Sequence, residues 1–388
     1  MIIKVIKGDY KLDKRLEEIL RIKTEILCWG IKPTEEAKKL YEFQNPYYDF
    51  KTGNVGLHFS LDNLTTVLAT VIHPFNVKSP YSIGKKGSDW ILLKKNEECV
   101  RINPILMPKW YQKKTSTGKP MAQIFLHEGT HYLHQTYRGC DYFAVGKGCK
   151  FCGTGRKWKI GAPSEIGEVV YAAYKENPNY QVCLGGGTRL SPDKGALYFK
   201  ACLNEIRKKV PNIPVWIEMV PPDSNKYIQM LIDAGATAFG FNLEIWDDNL
   251  REKICPGKYE ISKERYFEAC DYVKNSLGPN RVGSVLIVGL ESIESTIEGI
   301  RELTKAGIQP CLLPFKPWVG SEFEKRQPAN PDDLIKASRL SAKYMVKYNI
   351  DPNQNYGCLN CPSCTIDHDY FNMYAAKYKQ KLYARRAK

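Results

Sequence analysis

No apolar run in this 388-residue chain comes near the roughly eighteen residues that a transmembrane helix needs. The first residues, MIIKVIKGDYKLDKR, lack the apolar core and small-residue cleavage site of a secretory leader. Both absences point to a cytoplasmic protein that meets no membrane. A long basic arm is missing too. Lys and Arg outnumber Asp and Glu by 57 to 42, a net charge of +15, yet only the tail Lys377 to Lys388 concentrates basic residues, and it reads first as a solvated end. The excess suits an anionic small-molecule substrate. A Lys-, Ile- and Tyr-rich composition raises the charge without any polyanion, so nucleic acid stays a partner that is not favoured. Apolar residues at 43% and charged residues at 26% lie near globular averages, which excludes wholesale disorder.

Thirteen cysteines without a secretion signal read as metal ligands or buried thiols rather than a disulfide framework. Their setting is an alternation of short β-rich runs and amphipathic stretches from about Tyr132 to Ile350. Strands are expected at Tyr132 to Arg138, Tyr180 to Leu184, Pro214 to Val220, Thr237 to Ile245, Arg281 to Leu290 and Gln309 to Leu313. Helices are expected at Ala162 to Lys175, Ala196 to Val210, Asn225 to Ala234, Ser262 to Leu277, Ile293 to Lys305 and Asp332 to Tyr348. Six such units without a GxGxxG fingerprint in the first turn fit a partial (β/α)6 TIM-like barrel of the α/β class better than a Rossmann sheet. Active-site residues then gather at the strands' C-terminal ends. The expected organisation is an α+β extension at 1–125, the barrel at 126–350 and a Cys-rich tail at 351–388. Within the extension, helices at Asp13 to Leu27 and Thr34 to Phe43 precede a β-rich region from Val55 to Pro108.

Cys140, Cys149 and Cys152 fall in RGCDYFAVGKGCKFCGTG, a glycine-punctuated loop just after the first expected strand. Three thiolates in one loop suit a 4Fe-4S cluster with one iron free of protein ligands. The alternative is a structural zinc site completed by His131 or His134. Here the chain resembles the radical S-adenosylmethionine (SAM) superfamily, over about residues 132 to 350. The usual CxxxCxΦC loop is expanded to Cys140-x8-Cys149-Lys150-Phe151-Cys152, as in an outlying branch. The resemblance implies that SAM chelates the open iron and that an electron from the cluster cleaves it to a 5′-deoxyadenosyl radical. It also implies an oxygen-sensitive enzyme of metabolite or cofactor biosynthesis, fed by a donor such as ferredoxin or flavodoxin.

Three strand ends carry the rest of the resemblance. Gly185, Gly186, Gly187 and Thr188 follow the second strand, like the glycine motif that receives the SAM amino group through bare backbone. Asn242 and Glu244 end the fourth strand, where polar residues meet ribose or the methionyl group, and an extended strand would place both on one face. The fifth, Gly283 to Glu291, is similar to the GxIxGxxE stretch beside adenine and contributes Val288 and Gly289; Phe151 is expected near adenine as well.

A second constellation, Cys358, Cys361 and Cys364, follows the last helix with two residues between neighbours. It is expected to hold an auxiliary 4Fe-4S cluster, or a single iron or zinc, with Cys311, His368, substrate or water completing it. Cys28, Cys99, Cys183, Cys202, Cys255 and Cys270 stand alone and read as buried thiols. His127 to His131 matches HExxH, which on a helix makes a zinc hydrolase, the rival class; Gly129 and Thr130 weaken a helix there. A non-enzymatic metal protein that binds nucleic acid is the third reading.

Overall fold

The computed structural model describes residues 10–45, 56–129, 131–135, 139–153 and 161–386. Helices α1 (Tyr10–Trp29) and α2 (Glu35–Gln44) open the chain, with Thr34 capping α2 by accepting from the Ala37 amide. They pack on a five-stranded antiparallel sheet made of β1 (Leu57–Leu61), β2 (Thr65–Ala69), β3 (Tyr81–Lys86), β4 (Asp89–Lys94) and β5 (Glu97–Pro104), in the order β2-β1-β5-β4-β3.

The second sheet is the barrel wall. Its strands are β6 (Phe125–Glu128), β7 (Tyr132–Gln135), β8 (Gln181–Gly185), β9 (Val215–Glu218), β10 (Ala238–Gly240), β11 (Val282–Val288) and β12 (Gln309–Pro314). They lie side by side in strict chain order. The six from β7 to β12 are parallel, and β6 is an antiparallel edge that the sequence pattern did not reveal. Every residue of β10 and β11 is buried, as expected of strands covered on both faces.

The helices that follow are α3 (Asp141–Ala144), α4 (Pro163–Glu176), α5 (Ala196–Lys209), α6 (Asn225–Asp233), α7 (Asp248–Ile254), α8 (Pro256–Tyr259), α9 (Lys263–Leu277), α10 (Ile293–Lys305), α11 (Pro331–Lys347) and α12 (Asp367–Arg386). Side-chain caps set several starts: Ser224, Asp247, Ser262, Ser292 and Asn330 each accept from an amide of the first turn. The architecture is a partial (β/α)6 barrel of the α/β class.

Two strands differ from expectation. Of the expected Tyr132 to Arg138, the strand covers Tyr132–Gln135, and residues 136–138 lie outside the described residues. The fourth strand stops at Gly240; pairing with β11 resumes only as an isolated bridge at Glu244, which adopts φ +69°. The chain there stays fastened to β11: the Phe241 and Glu244 amides donate to the Gly283 and Val285 carbonyls.

The tail enters the N-terminal end of the barrel. The Gly357 amide donates to Gln181 Oε1 (2.8 Å), Gln309 Nε2 donates to the Leu359 carbonyl (2.6 Å), and Tyr132 Oη donates to the Asn360 carbonyl (3.1 Å). Gly283, expected beside adenine, instead makes room for this plug: a Cβ there would lie 2.5 Å from Leu359 Cδ2. The N-terminal unit holds the plug from outside. The Leu68 amide donates to the Ser363 carbonyl, and the fully buried Lys23 ammonium donates to the Pro362 carbonyl and to Asp369 Oδ2, both at 2.6 Å. Leu359→Ala empties a packed site at the barrel base, so it should lower unfolding free energy by roughly 2–4 kcal/mol in anaerobic denaturant titrations. An unchanged midpoint would show that the plug packs loosely.

Candidate functional site at the barrel mouth

One cavity of about 260 Å3 opens at the C-terminal ends of the strands, and Cys140, Cys149 and Cys152 all line it. Phe151, Gly185, Gly186, Gly187, Thr188, Asn242 and Glu244 line it as well. Residues separated by more than a hundred positions therefore meet on one wall. Val288 and Gly289 are not on that wall: Val288 is buried, and Gly289, at φ +100°, lies against Ala329 and Phe315.

The cysteine loop is placed by close backbone contact. Gly139 has φ +111°, and a Cβ on Gly187 would sit 1.9 Å from the Gly139 carbonyl oxygen and 2.6 Å from Cys140 Cα. Only a bare backbone lets the glycine run reach the loop. The Asp141 amide then donates to the Thr188 carbonyl (2.9 Å), and Asp141 Oδ2 accepts from the Leu190 amide (3.0 Å). Farther along, the Lys150 amide donates to the Ile254 carbonyl, and the Cys152 amide to the Cys149 carbonyl.

Burial raises the Cys140 thiol, while the Thr188 and Tyr142 amides draw it part-way back. A hydrogen bond with Cys255, then burial, holds the Cys149 thiol well above the ordinary range. Cys255 is thus a neighbour of the loop rather than an isolated core thiol. Lys258 faces the same wall. Burial opposes its charge, but the Glu244 carboxylate, accepting its hydrogen bond at 2.6 Å, leads the neighbours that hold the ammonium well above the ordinary lysine range. Asn242 donates to Glu218 Oε1 and accepts from the Val285 amide. Glu291 fixes the loop after β10 by accepting from the Trp246 (3.0 Å) and Asp247 (2.8 Å) amides. Although Asn242 and Glu244 do not share the face of a regular strand, both reach the cavity.

Sequence reasoning missed Lys258, Glu218 and Met219, which also line the cavity. Glu218 had a signal in its place at the end of the third strand; Lys258, in an irregular connection, had none. His134 lines the cavity too and pairs with Glu128 at 3.5 Å.

The HExxH reading fails on geometry. His127 and Glu128 end β6, Gly129 turns at φ +56°, and β7 starts at Tyr132, so the imidazoles sit on a hairpin and not one helical turn apart. His127 Nδ1 lies 2.9 Å from Tyr180 Oη, and His131 stacks on Tyr132. Among the described residues, no three His, Cys, Asp or Glu side chains converge to hold a single metal ion.

The family model of the radical SAM superfamily matches residues 135–304, the stretch that carries the cysteine loop, the glycine run and Glu244. Residues 135–304 therefore carry a radical SAM domain. The chain is similar to bacteriochlorophyllide c C-7(1)-hydroxylase of Chlorobaculum limnaeum, 26% identical over 267 residues, or 62% of this chain and 66% of that protein. It is also similar to lipoyl synthase of Thermus thermophilus, 26% identical over 201 residues, or 47% of this chain and 60% of that protein. The chain therefore spans less than two thirds of either relative's length. Among solved structures, the hydrogenase maturase HydG of Carboxydothermus hydrogenoformans aligns with 52% of this chain and 49% of its own, at 15% identity and a TM-score of 0.41. The strand order above, rather than that superposition, defines the fold. No helix among the described residues is long and apolar enough to cross a membrane.

Two outcomes follow from the site. Gly187→Ala should force the Cys140 loop away and lower the iron retained after anaerobic reconstitution, whereas Gly278→Ala, at an open surface glycine, should retain it. Burial depresses the imidazoles of His127 and His73 to about 3 and about 4. As pH falls below about 6.5 the unfolded chain binds protons that these residues refuse, so stability drops. His127→Gln should therefore lose less stability than the parent between about pH 7 and about pH 5 in denaturant titrations. Equal slopes would show that His127 protonates freely in the fold.

Proposed function

We propose that this protein is a radical SAM enzyme of metabolite or cofactor biosynthesis, with its cluster held by Cys140, Cys149 and Cys152. One observation supports the reading above all: three thiols, three glycines, Asn242 and Glu244 converge on a single cavity at the strand ends. The donor set fits, because thiols alone suit a 4Fe-4S cluster, and the cavity supplies the open side on which SAM can bind. A bound cluster and SAM together supply a 5′-deoxyadenosyl radical by reductive cleavage.

The chain's own groups bind, orient and shield. Gly185 to Gly187 offer backbone without side chains to the methionyl end of SAM. Lys258, an electrostatic neighbour of Cys149, offsets the negative charge of thiolates in a desolvated setting. Asn242 and Glu244, fixed by Val285 and Lys258, present oriented polar groups to the nucleoside. Phe151 places an apolar ring among these polar groups on the same wall. An anionic small molecule is the substrate class, and a ferredoxin- or flavodoxin-like donor the electron source.

The tail cysteines are read as an auxiliary 4Fe-4S site. Cys311, on β12, is an electrostatic neighbour of Cys358 and Cys364, whereas His368 has Asp369, Lys23 and Asp351 as its charged neighbours. Cys311 is thus the better placed of the two fourth ligands named from sequence. The decisive experiment is anaerobic reconstitution with a strong reductant, followed by assay for 5′-deoxyadenosine and methionine. The parent should form both, and Cys152→Ala should form neither. Product formation by that variant at the parental rate would remove the loop from the radical chemistry.

A further inference from the structure

The base of the barrel holds a fifth thiol that neither the cavity nor the tail motif accounts for. Cys183 is buried on β8, two residues before Gly185, with its side chain toward the plug. Gly357 has φ +62°, and a Cβ there would lie 3.0 Å from Cys183 Sγ and 2.6 Å from Trp216 Cβ. The tail backbone is thus laid directly on this thiol, at a position where only glycine fits. Cys358 and Cys361 are electrostatic neighbours of Cys183. Cys311 is likewise an electrostatic neighbour of Cys358 and Cys364, but no tail glycine is laid against it.

Above these thiols lies the reaction cavity. His134 belongs to both: it lines the cavity, and its Nδ1 is 4.0 Å from Cys358 Sγ. Glu218 also lines the cavity and is an electrostatic neighbour of Cys183 and Cys311. A loop that brings three thiolates to a cluster leaves one iron without a tail ligand. The thiol already in contact with the loop is the one placed to take it.

We propose that Cys183, rather than Cys311, is the fourth thiolate of the tail centre, which lies beneath the cavity on the far side of His134. This rests on the reading of Cys358, Cys361 and Cys364 as cluster ligands. It assigns the strand thiol to metal binding instead of packing, and it sets His134 between the tail centre and any molecule held in the cavity.

The test uses the full chain with Cys140, Cys149 and Cys152 all replaced by Ser, so that any bound cluster belongs to the tail. After anaerobic loading with ferrous iron and sulfide, this parent should hold one cluster equivalent of iron and acid-labile sulfide. Adding Cys183→Ser should either remove most of that iron or shift the g-values of the reduced cluster's electron paramagnetic resonance spectrum. Adding Cys311→Ser or Cys202→Ser should change neither. Far-ultraviolet circular dichroism identifies variants that keep the fold, and Cys183→Ala supplies a second, non-coordinating substitution. Full iron with an unaltered spectrum in both folded Cys183 variants, or loss of iron in Cys311→Ser alone, overturns the assignment while leaving the tail cluster standing. A parent that takes up no iron and sulfide overturns the tail cluster and this assignment with it.

Discussion

Contact between two stretches of bare backbone governs the arrangement of the site. At Gly187 and Gly139 the end of β8 meets the loop that carries Cys140, and the space between them excludes even a methyl group. Because the approach is backbone to backbone, hydrogen bonding between Asp141 and Thr188 can set the loop's height over the strands. The thiols, Phe151 and the glycine run then share a wall that side-chain packing alone could not create. The same device recurs at the barrel base, where Gly357 lies on Cys183 and Trp216, and where Gly283 receives Leu359. Close backbone approach thus fixes both ends of the partial barrel.

Charge inside that chamber is paired rather than solvated. Lys258 holds Glu244, and His134 holds Glu128; burial opposes the charge of each cation, and the carboxylate partner leads the neighbours that sustain it. Removing one member of such a pair leaves a buried charge without compensation, which is costly in a desolvated setting. The buried Lys23, clasping the tail through Pro362 and Asp369, follows the same rule. Charge pairing thus links the N-terminal unit, the tail and the barrel.

Much of the barrel was legible before its coordinates. Parallel strands covered on both faces leave long apolar runs, and capping residues such as Ser262 and Ser292 mark helix starts, so units from β8 to α11 fall within a few residues of expectation. The exceptions have local causes. The fourth strand gives way to irregular chain at Phe241, within an apolar run that conceals the break, and β6 is too short to register as a strand when read as half of HExxH. That motif fails because two imidazoles at that spacing face one way only on a helix, and this segment is a hairpin.

Sequence alone determined the barrel and pointed to the cysteine loop at its mouth, because thiol spacing within a loop is local and the alternation of strands and helices is periodic. Cys140, Cys149, Cys152, the glycine run and Asn242, singled out from sequence, all line one cavity. Tertiary structure alone decided that Lys258 joins that wall, that Val288 and Gly289 do not, and that the tail at Gly357 is laid on Cys183. The reason is physical: spacing records neighbours along the backbone, whereas contacts between β8 and a tail that enters the barrel from below depend on how sheet curvature and burial bring distant segments together.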